Sequence, residues 1–234
     1  MSYEHPNEHH ATIQEVSRDI MRRPAEHNTT NLDLDRMRMI LDLLGHPEDS
    51  FRIIHITGTN GKGSTARMAE AICRAYGMRT GLYTSPHLER LNARIAIDGH
   101  ELSDDDFIDS WEQIKDFVAI VDHAMSERSK PPMSFFEVLT ASGPVDMDHM
   151  QWRGDTVEQS ATEKSGIIKT GSTAIIGAQP HEEQVMPILE RAAAEHHATL
   201  VRDGQEMEVV ARKPAVGGQL VTFRTPNGVY EDVP

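Results

Sequence analysis

The stretch GTNGKGS at 58–64 constrains the fold more than any other part of the chain, because glycines spaced around one lysine suit a tight turn wrapped about a small anion. Glycine tolerates the turn and lets the backbone approach a phosphate, so successive N–H groups at 58–63 can point into one concavity. The flanks give this loop its context. An apolar run, FRIIHIT at 51–57, reads as a strand. Ser64 begins a helical pattern reaching about Tyr76, with Ala66, Ala69, Ile72 and Cys73 on its packed side. Gly77 closes that helix, and 80–84 reads as a second strand. Strand, loop, helix and strand make a βαβ unit. The expected class is therefore α/β, a three-layer P-loop domain with a mainly parallel sheet and helices on its faces. In such a loop Lys62 brings positive charge to the β and γ phosphates of a nucleotide. The hydroxyl of Ser64 or Thr65 can reach Mg2+, and the helix N-terminus adds its dipole. The spacing departs from the general pattern, since Gly63 stands between Lys62 and Ser64.

The rest of the chain alternates helical and extended signals. Ile13, Val16 and Ile20 give a helical period over 11–23, stopped by Pro24. Asn31 or Asp33 caps a helix with Met37, Ile40, Leu41 and Leu44 as its apolar stripe, ended by Gly45 and Pro47. Residues 94–101 read as a short β element turning at Asp98-Gly99. Ser103 opens a helix with Asp106 at the capping-box spacing and Phe107, Trp111, Ile114, Phe117, Val118 and Val121 on its face. Ser134 starts an apolar run that stops near Ala141, and a loop rich in Asp and Met follows. Residues 156–168 and 182–197 read as helices, the second despite Pro187, and 173–176 as a strand. Residues 200–230 read as hairpin material at the edge of the sheet, turning at Gly217-Gly218 and Asn227-Gly228. The expected organisation is one ATP-binding domain over 1–234: a helical segment at 1–50, a βαβ core at 51–141, and a remainder at 142–234 after an apparent internal deletion.

A formal charge of -14 repels nucleic acid and anionic lipid, so neither is an expected partner. It does not exclude an anionic ligand held by local N–H groups and a lysine. The single cysteine, Cys73, forms no internal disulfide and lies in a helical apolar pattern, which implies core packing and a cytoplasmic setting. No early apolar run follows a basic start, so a secretory leader is not expected, and no apolar run reaches membrane-spanning length. His5, His9 and His10 read as a solvated terminus rather than a metal cluster. A monomer is expected.

HITGTNGKGST at 55–65 resembles the phosphate loop of the Mur ligase superfamily, and more narrowly that of folylpolyglutamate synthase, often bifunctional with dihydrofolate synthase. NLDLDRMRMILDLLGHPE at 31–48, LYTSPHLERLNARI at 82–95, SFFEVLTA at 134–141 and EKSGIIK at 163–169 extend the resemblance along the chain. It implies a domain of the Mur ligase central type. It also implies an ATP- and Mg2+-dependent amide ligase that joins L-glutamate to a folate, or to dihydropteroate, through an acyl phosphate. Carried across residue by residue, Gly58, Thr59, Asn60, Gly61, Lys62, Gly63, Ser64 and Thr65 hold the nucleotide. Ser64, Ser85 and His149 serve the metal, and Ser85, Pro86, His87 and Arg94 face the pterin. Lys62, His149 and Lys164 are the catalytic candidates, Lys164 as a carbamylated lysine. By local pattern alone Ser85 reads as a turn cap, Arg94 as a solvated or salt-bridged arginine, His149 as a loop histidine and Lys164 as a helix-surface lysine. Glu137 reads as a structural or substrate-side acid or, equally, as a capped or solvated glutamate.

The chain also departs from the family. Between the SFFEVLTA and MDHM strings the family carries a helix, a strand ending in a metal-binding glutamate, a glycine-rich loop and another strand; here only 142–146 intervene. A counterpart of the family's C-terminal domain is not expected within these 234 residues. The expectation is a chain covering about the first half of the family's length with an internal gap, and weak or absent ligase activity if the sequence is literal. The alternative reading is a non-catalytic nucleotide-binding or protein-interaction module.

Overall fold

Thr12 accepts a hydrogen bond from Glu15 N while the Glu15 carboxylate accepts one from Thr12 N, and this reciprocal box starts α1, Ile13–Met21. Val16 and Ile20, one turn apart, are its buried face. These are the first elements of a computed structural model that describes residues 11–25, 34–84, 90–143 and 156–234. The chain divides into two compact units, 1–151 and 152–234.

In the first unit α2 spans Asp35–Leu44 and starts at Leu34 without a side-chain cap. Asn31 and Asp33, the expected caps, lie outside the described residues. Gly45 ends α2 at φ 77, a left-handed conformation that glycine adopts at little cost. Met37 and Ile40 are buried, joined by Arg36; Leu41 and Leu44 are half-buried. α3 is Lys62–Ala75, starting two residues before the expected Ser64. β1 (Gly81–Tyr83), β2 (Ile95–Ile97) and β3 (His100–Glu101) form an antiparallel sheet in that order. β2 and β3 meet at Asp98 (φ 49) and Gly99 (φ 81), two left-handed residues in succession, as a two-residue hairpin requires. α4, Asp104–Glu127, is capped by Ser103 as the spacing predicts and buries Phe107, Trp111, Ile114, Val118 and Val121, with Phe117 half-buried. α5, Phe135–Ser142, has its own capping box between Ser134 and Glu137.

The core of this unit sits among α1, α2, α4 and α5. Phe107, Ile20, Ile40, Ile95, Met125 and Leu139 are among its fully buried side chains. Each such burial contributes about 1.5–3 kcal/mol. The expected strand at 51–57 is not one: it carries no ladder, and Ile53 and Ile54 are exposed. A strand exists only by pairing, and no neighbour is present for it among the described residues. β1 accordingly pairs antiparallel with β2, and not parallel with a strand at 51–57.

The second unit contains α6 (Val157–Ser165), β4 (Thr173–Ile176), α7 (Glu182–Glu195) and β5 (Thr199–Arg202). β4 and β5 pair in parallel across the α7 crossover, the one parallel pair of strands among the described residues. Pro187 lies inside α7 without ending it, and Val185 and Ala193 are buried. β6 (Glu208–Ala215), β7 (Gly218–Thr225) and β8 (Gly228–Val233) form an antiparallel meander. Its two-residue loops are Val216-Gly217 and Pro226-Asn227, one residue earlier than the expected turns. Phe223 and Tyr230 stack across β7 and β8 with centroids 5.1 Å apart. The fold is thus α/β, with parallel and antiparallel strands in separate sheets. No described helix is long and apolar enough to cross a membrane.

Candidate functional site

The phosphate loop is built by two backbone exceptions. Gly58 lies at φ 155 and Gly61 at φ 78, conformations that side chains rarely tolerate. Gly61 is the N-cap of α3, and the first helical bond runs from Thr65 N to Gly61 O at 2.9 Å. The amides of Lys62, Gly63 and Ser64 therefore have no intrahelical acceptor. Among the described residues no side chain caps them, and the first turn carries no acid. Every other described helix of eight or more residues has an acid in its first turn. An uncapped N-terminus without negative charge presents free donors and a positive dipole end to an anion.

The side chains divide the remaining work. Lys62 Nζ donates to Gly58 O at 2.6 Å, so the ammonium folds back over the loop. Thr65 Oγ1 donates to Gly61 O at 2.9 Å and is spent on the helix. The Ser64 side chain is exposed and makes no hydrogen bond to another described residue, which leaves its hydroxyl as the available oxygen. Thr59 and Asn60 are exposed at the loop tip. Gly63 has nothing within 4 Å of where a Cβ would be, so packing does not require a glycine there.

Arg94 lies in the same unit and is 8% exposed, with its guanidinium carbon 5.4 Å from the centroid of Phe135. It is therefore not the solvated arginine that local pattern allows. Asn92 beside it donates to Leu102 O and to Asp104 Oδ1, both at 2.9 Å, and Arg90 pairs with the same carboxylate. Ser85, Pro86, His87 and His149 lie outside the described residues. Lys164 belongs to the second unit, half-buried on α6, where Nζ donates to Ser160 Oγ at 2.6 Å. Among the described residues no three His, Cys, Asp or Glu side chains gather as a metal site.

Glu137 proves structural. Arg36 Nε donates to both of its carboxylate oxygens, at 3.0 and 2.9 Å, and Ser134 N donates at 2.7 Å. Sequence reasoning missed this pair because the two residues stand 101 positions apart. It also missed the polar cluster at the far end of α3. Thr80 Oγ1 and Arg74 Nε both donate to Glu70 Oε1, at 2.6 and 3.2 Å, and Thr80 N donates to Asp98 Oδ1 at 2.7 Å. The spacing of Glu70 and Arg74 was its only signal.

No family model matches the chain. Similar proteins are nonetheless clear. The dihydrofolate synthase/folylpolyglutamate synthase of Mycobacterium tuberculosis is 33% identical over 245 residues, covering 86% of this chain and 50% of that protein. The one from Bacillus subtilis is 30% identical, covering 86% of this chain and 54% of its own length. The solved structure of M. tuberculosis folylpolyglutamate synthase complexed with ADP matches with a TM-score of 0.81 at 32% identity, over 94% of this chain and 56% of that one. The apo form of the Lactobacillus casei enzyme matches with a TM-score of 0.80 at 25% identity. The chain spans about half the length of the curated relatives it matches. The M. tuberculosis alignment is 245 positions long yet takes in 86% of 234 residues, about 201, so about 44 positions have no counterpart here.

Proposed function

The chain belongs to the folylpolyglutamate synthase/dihydrofolate synthase family of the Mur ligase superfamily, and on that footing we propose that it binds ATP at 58–65 and serves the ligation of L-glutamate to a folate or to dihydropteroate. The observation that carries the proposal is the α3 N-terminus, with three amides that lack an acceptor among the described residues, no acid and Lys62 folded over Gly58. That donor set suits a polyphosphate. The Lys62, Gly63 and Ser64 amides hold the β-phosphate, and Lys62 exchanges its bond to Gly58 O for phosphate oxygens. The substrate carboxylate attacks the γ-phosphorus, ADP leaves, and an acyl phosphate forms. The glutamate amine then attacks the acyl carbon, phosphate departs and the amine proton passes to solvent. Mg2+, when bound with the nucleotide, offsets charge on the transferring group. Ser64 would contribute its hydroxyl to that ion, in keeping with Mg2+ being held by few protein ligands together with phosphates and water. Ser85 and His149 are proposed as its further neighbours on the resemblance alone. Pro86, His87 and Arg94 are proposed on the pterin side on the same ground, and Lys164 as a carbamylated lysine.

The 44 or so aligned positions without a counterpart favour a second reading, a nucleotide-binding module that does not ligate. Two measurements separate them. ADP binding should be present in the parent and fall about 10- to 100-fold in Lys62→Ala, as loss of a charged hydrogen-bonding group implies. Phosphate release from ATP should then depend on both glutamate and the pteroate or folate. Binding without such release supports the module; no binding at all refutes both.

A further inference from the structure

α3 carries the phosphate loop, yet it contains no fully buried residue. Beyond its own loop, the Thr80 hydroxyl on Glu70 is the side-chain hydrogen bond among the described residues that ties α3 to the residue preceding β1. Glu70 lies two turns beyond Lys62, about 12 Å along the axis. Its side chain is 8% exposed, although it is charged and sits on an otherwise open helix. The other partners close a ring. Arg74 holds Glu70 from the next turn, Thr80 N reaches Asp98 Oδ1, and Asp98 N returns to Thr80 O at 2.9 Å. Gly99 completes it by absence, since a Cβ there would lie 2.8 Å from Arg74 Cζ. The two strands leaving this ring are β1 and β2. They stay paired as far as Thr84 N on Arg94 O at 2.9 Å, which is where the buried Arg94 sits.

We propose that Glu70 and Thr80 are positioning residues that couple occupancy of the phosphate loop to the paired strands β1 and β2 and to Arg94. An anion held by the first-turn amides fixes the axial position of α3. With little apolar burial to fix it otherwise, α3 transmits that position through Glu70 to Thr80, and the β1–β2 pair moves with it. Coupling of this kind requires the ligand to favour one arrangement of the latch, and it is reciprocal. The inference rests on the reading that 58–65 holds nucleotide phosphate.

The test uses ADP with Mg2+ as the probe on the intact chain. ADP affinity is measured by titration, and hydrogen exchange at the Thr84 and Asp98 amides is measured with and without ADP. In the parent, ADP should slow exchange at these amides about fivefold or more, the lower end of ordinary coupling. Thr80→Val, which keeps the shape and loses the hydroxyl, should abolish the ADP-dependent part and change ADP affinity by less than that factor. Thr80→Ser should restore it. Gly99→Ala, which displaces Arg74 from the other side, should weaken it. If the parent binds ADP and exchange at these amides does not respond, the inference falls and the phosphate-site reading stands. If Thr80→Val lowers thermal stability but keeps the full response to ADP, the latch is merely structural and the inference is overturned. If the parent does not bind ADP, the phosphate-site reading fails first and the coupling with it.

Discussion

Removing the Glu137 carboxylate should destabilise the first unit and leave nucleotide binding alone. The Arg36 side chain is 4% exposed, and its Nη1 already lacks a partner. In Glu137→Ala its Nε loses both carboxylate oxygens, so a guanidinium is left charged and buried without a counter-ion. Breaking a buried pair from one side costs about 3–5 kcal/mol. The same change strips the capping box of α5, worth about 1 kcal/mol. The two losses share the Glu137 side chain, so they do not simply add, and about 4 kcal/mol is the expected total. In urea, where m is about 1–3 kcal/mol/M, the midpoint should fall by about 2 M. Tryptophan fluorescence reads it, because Trp111 lies buried on α4 within the same helical cluster. The double variant Arg36→Met with Glu137→Leu removes both charges. It should recover most of the loss, since apolar replacement of a buried pair is often neutral. ADP affinity should be unchanged throughout. A Glu137→Ala protein as stable as the parent would refute the reasoning. So would one that folds normally but loses ADP or substrate affinity, because the acid would then face a ligand.

Three further outcomes follow from particular sites. Gly63→Ala should raise or preserve thermal stability, by up to about 0.5–1 kcal/mol for glycine replaced within a helix, because nothing lies within 4 Å of the new methyl; the same change should weaken ADP binding about tenfold if the backbone there approaches phosphate. Phe107→Ala, at a fully buried position on α4, should cost about 3–5 kcal/mol by urea denaturation. Arg202, through its hydrogen bonds, holds the Glu206 carboxyl down from 4.5 to about 2. Stability from that lowered group is fully present above pH 4.5 and is lost as pH falls through the folded value near 2. Glu206→Gln should therefore flatten the acid limb of second-unit unfolding in that window, and a carboxyl titration should show the low value directly.

What the sequence disclosed depended on how local the cause was. The α4 face, the Ser103 cap, the Asp98-Gly99 turn and the Gly45 stop are set within a few residues, and all were legible. The loop glycines were legible for the same reason, since φ at Gly61 is a property of one residue. The strand at 51–57 misled because its composition satisfies a strand while pairing depends on a neighbour elsewhere in the chain. The start of α3 at Lys62 was misjudged because a left-handed N-cap at Gly61 leaves no capping side chain to recognise. Arg36 with Glu137, and Glu70 with Thr80, are long-range or cross-element pairs, and either acid alone looks like a surface carboxylate.

The division of burial within the first unit bears on how its site should behave. The cluster centred on α1, α2, α4 and α5 holds the fully buried side chains, whereas α3 buries none, its own Met68 and Ile72 are exposed, and so are Ile53 and Ile54 before it. Stability therefore resides away from the phosphate loop. Segments with few buried contacts open locally at low free energy, so 51–78 belongs at the weak end of the unit. A ligand on the α3 N-terminus would stabilise that segment by mass action while scarcely moving global unfolding if the helical cluster unfolds separately. ADP should then slow exchange within α3 more than it shifts the fluorescence midpoint at Trp111. An equal response at both places would mean that the loop and the cluster unfold as one cooperative body.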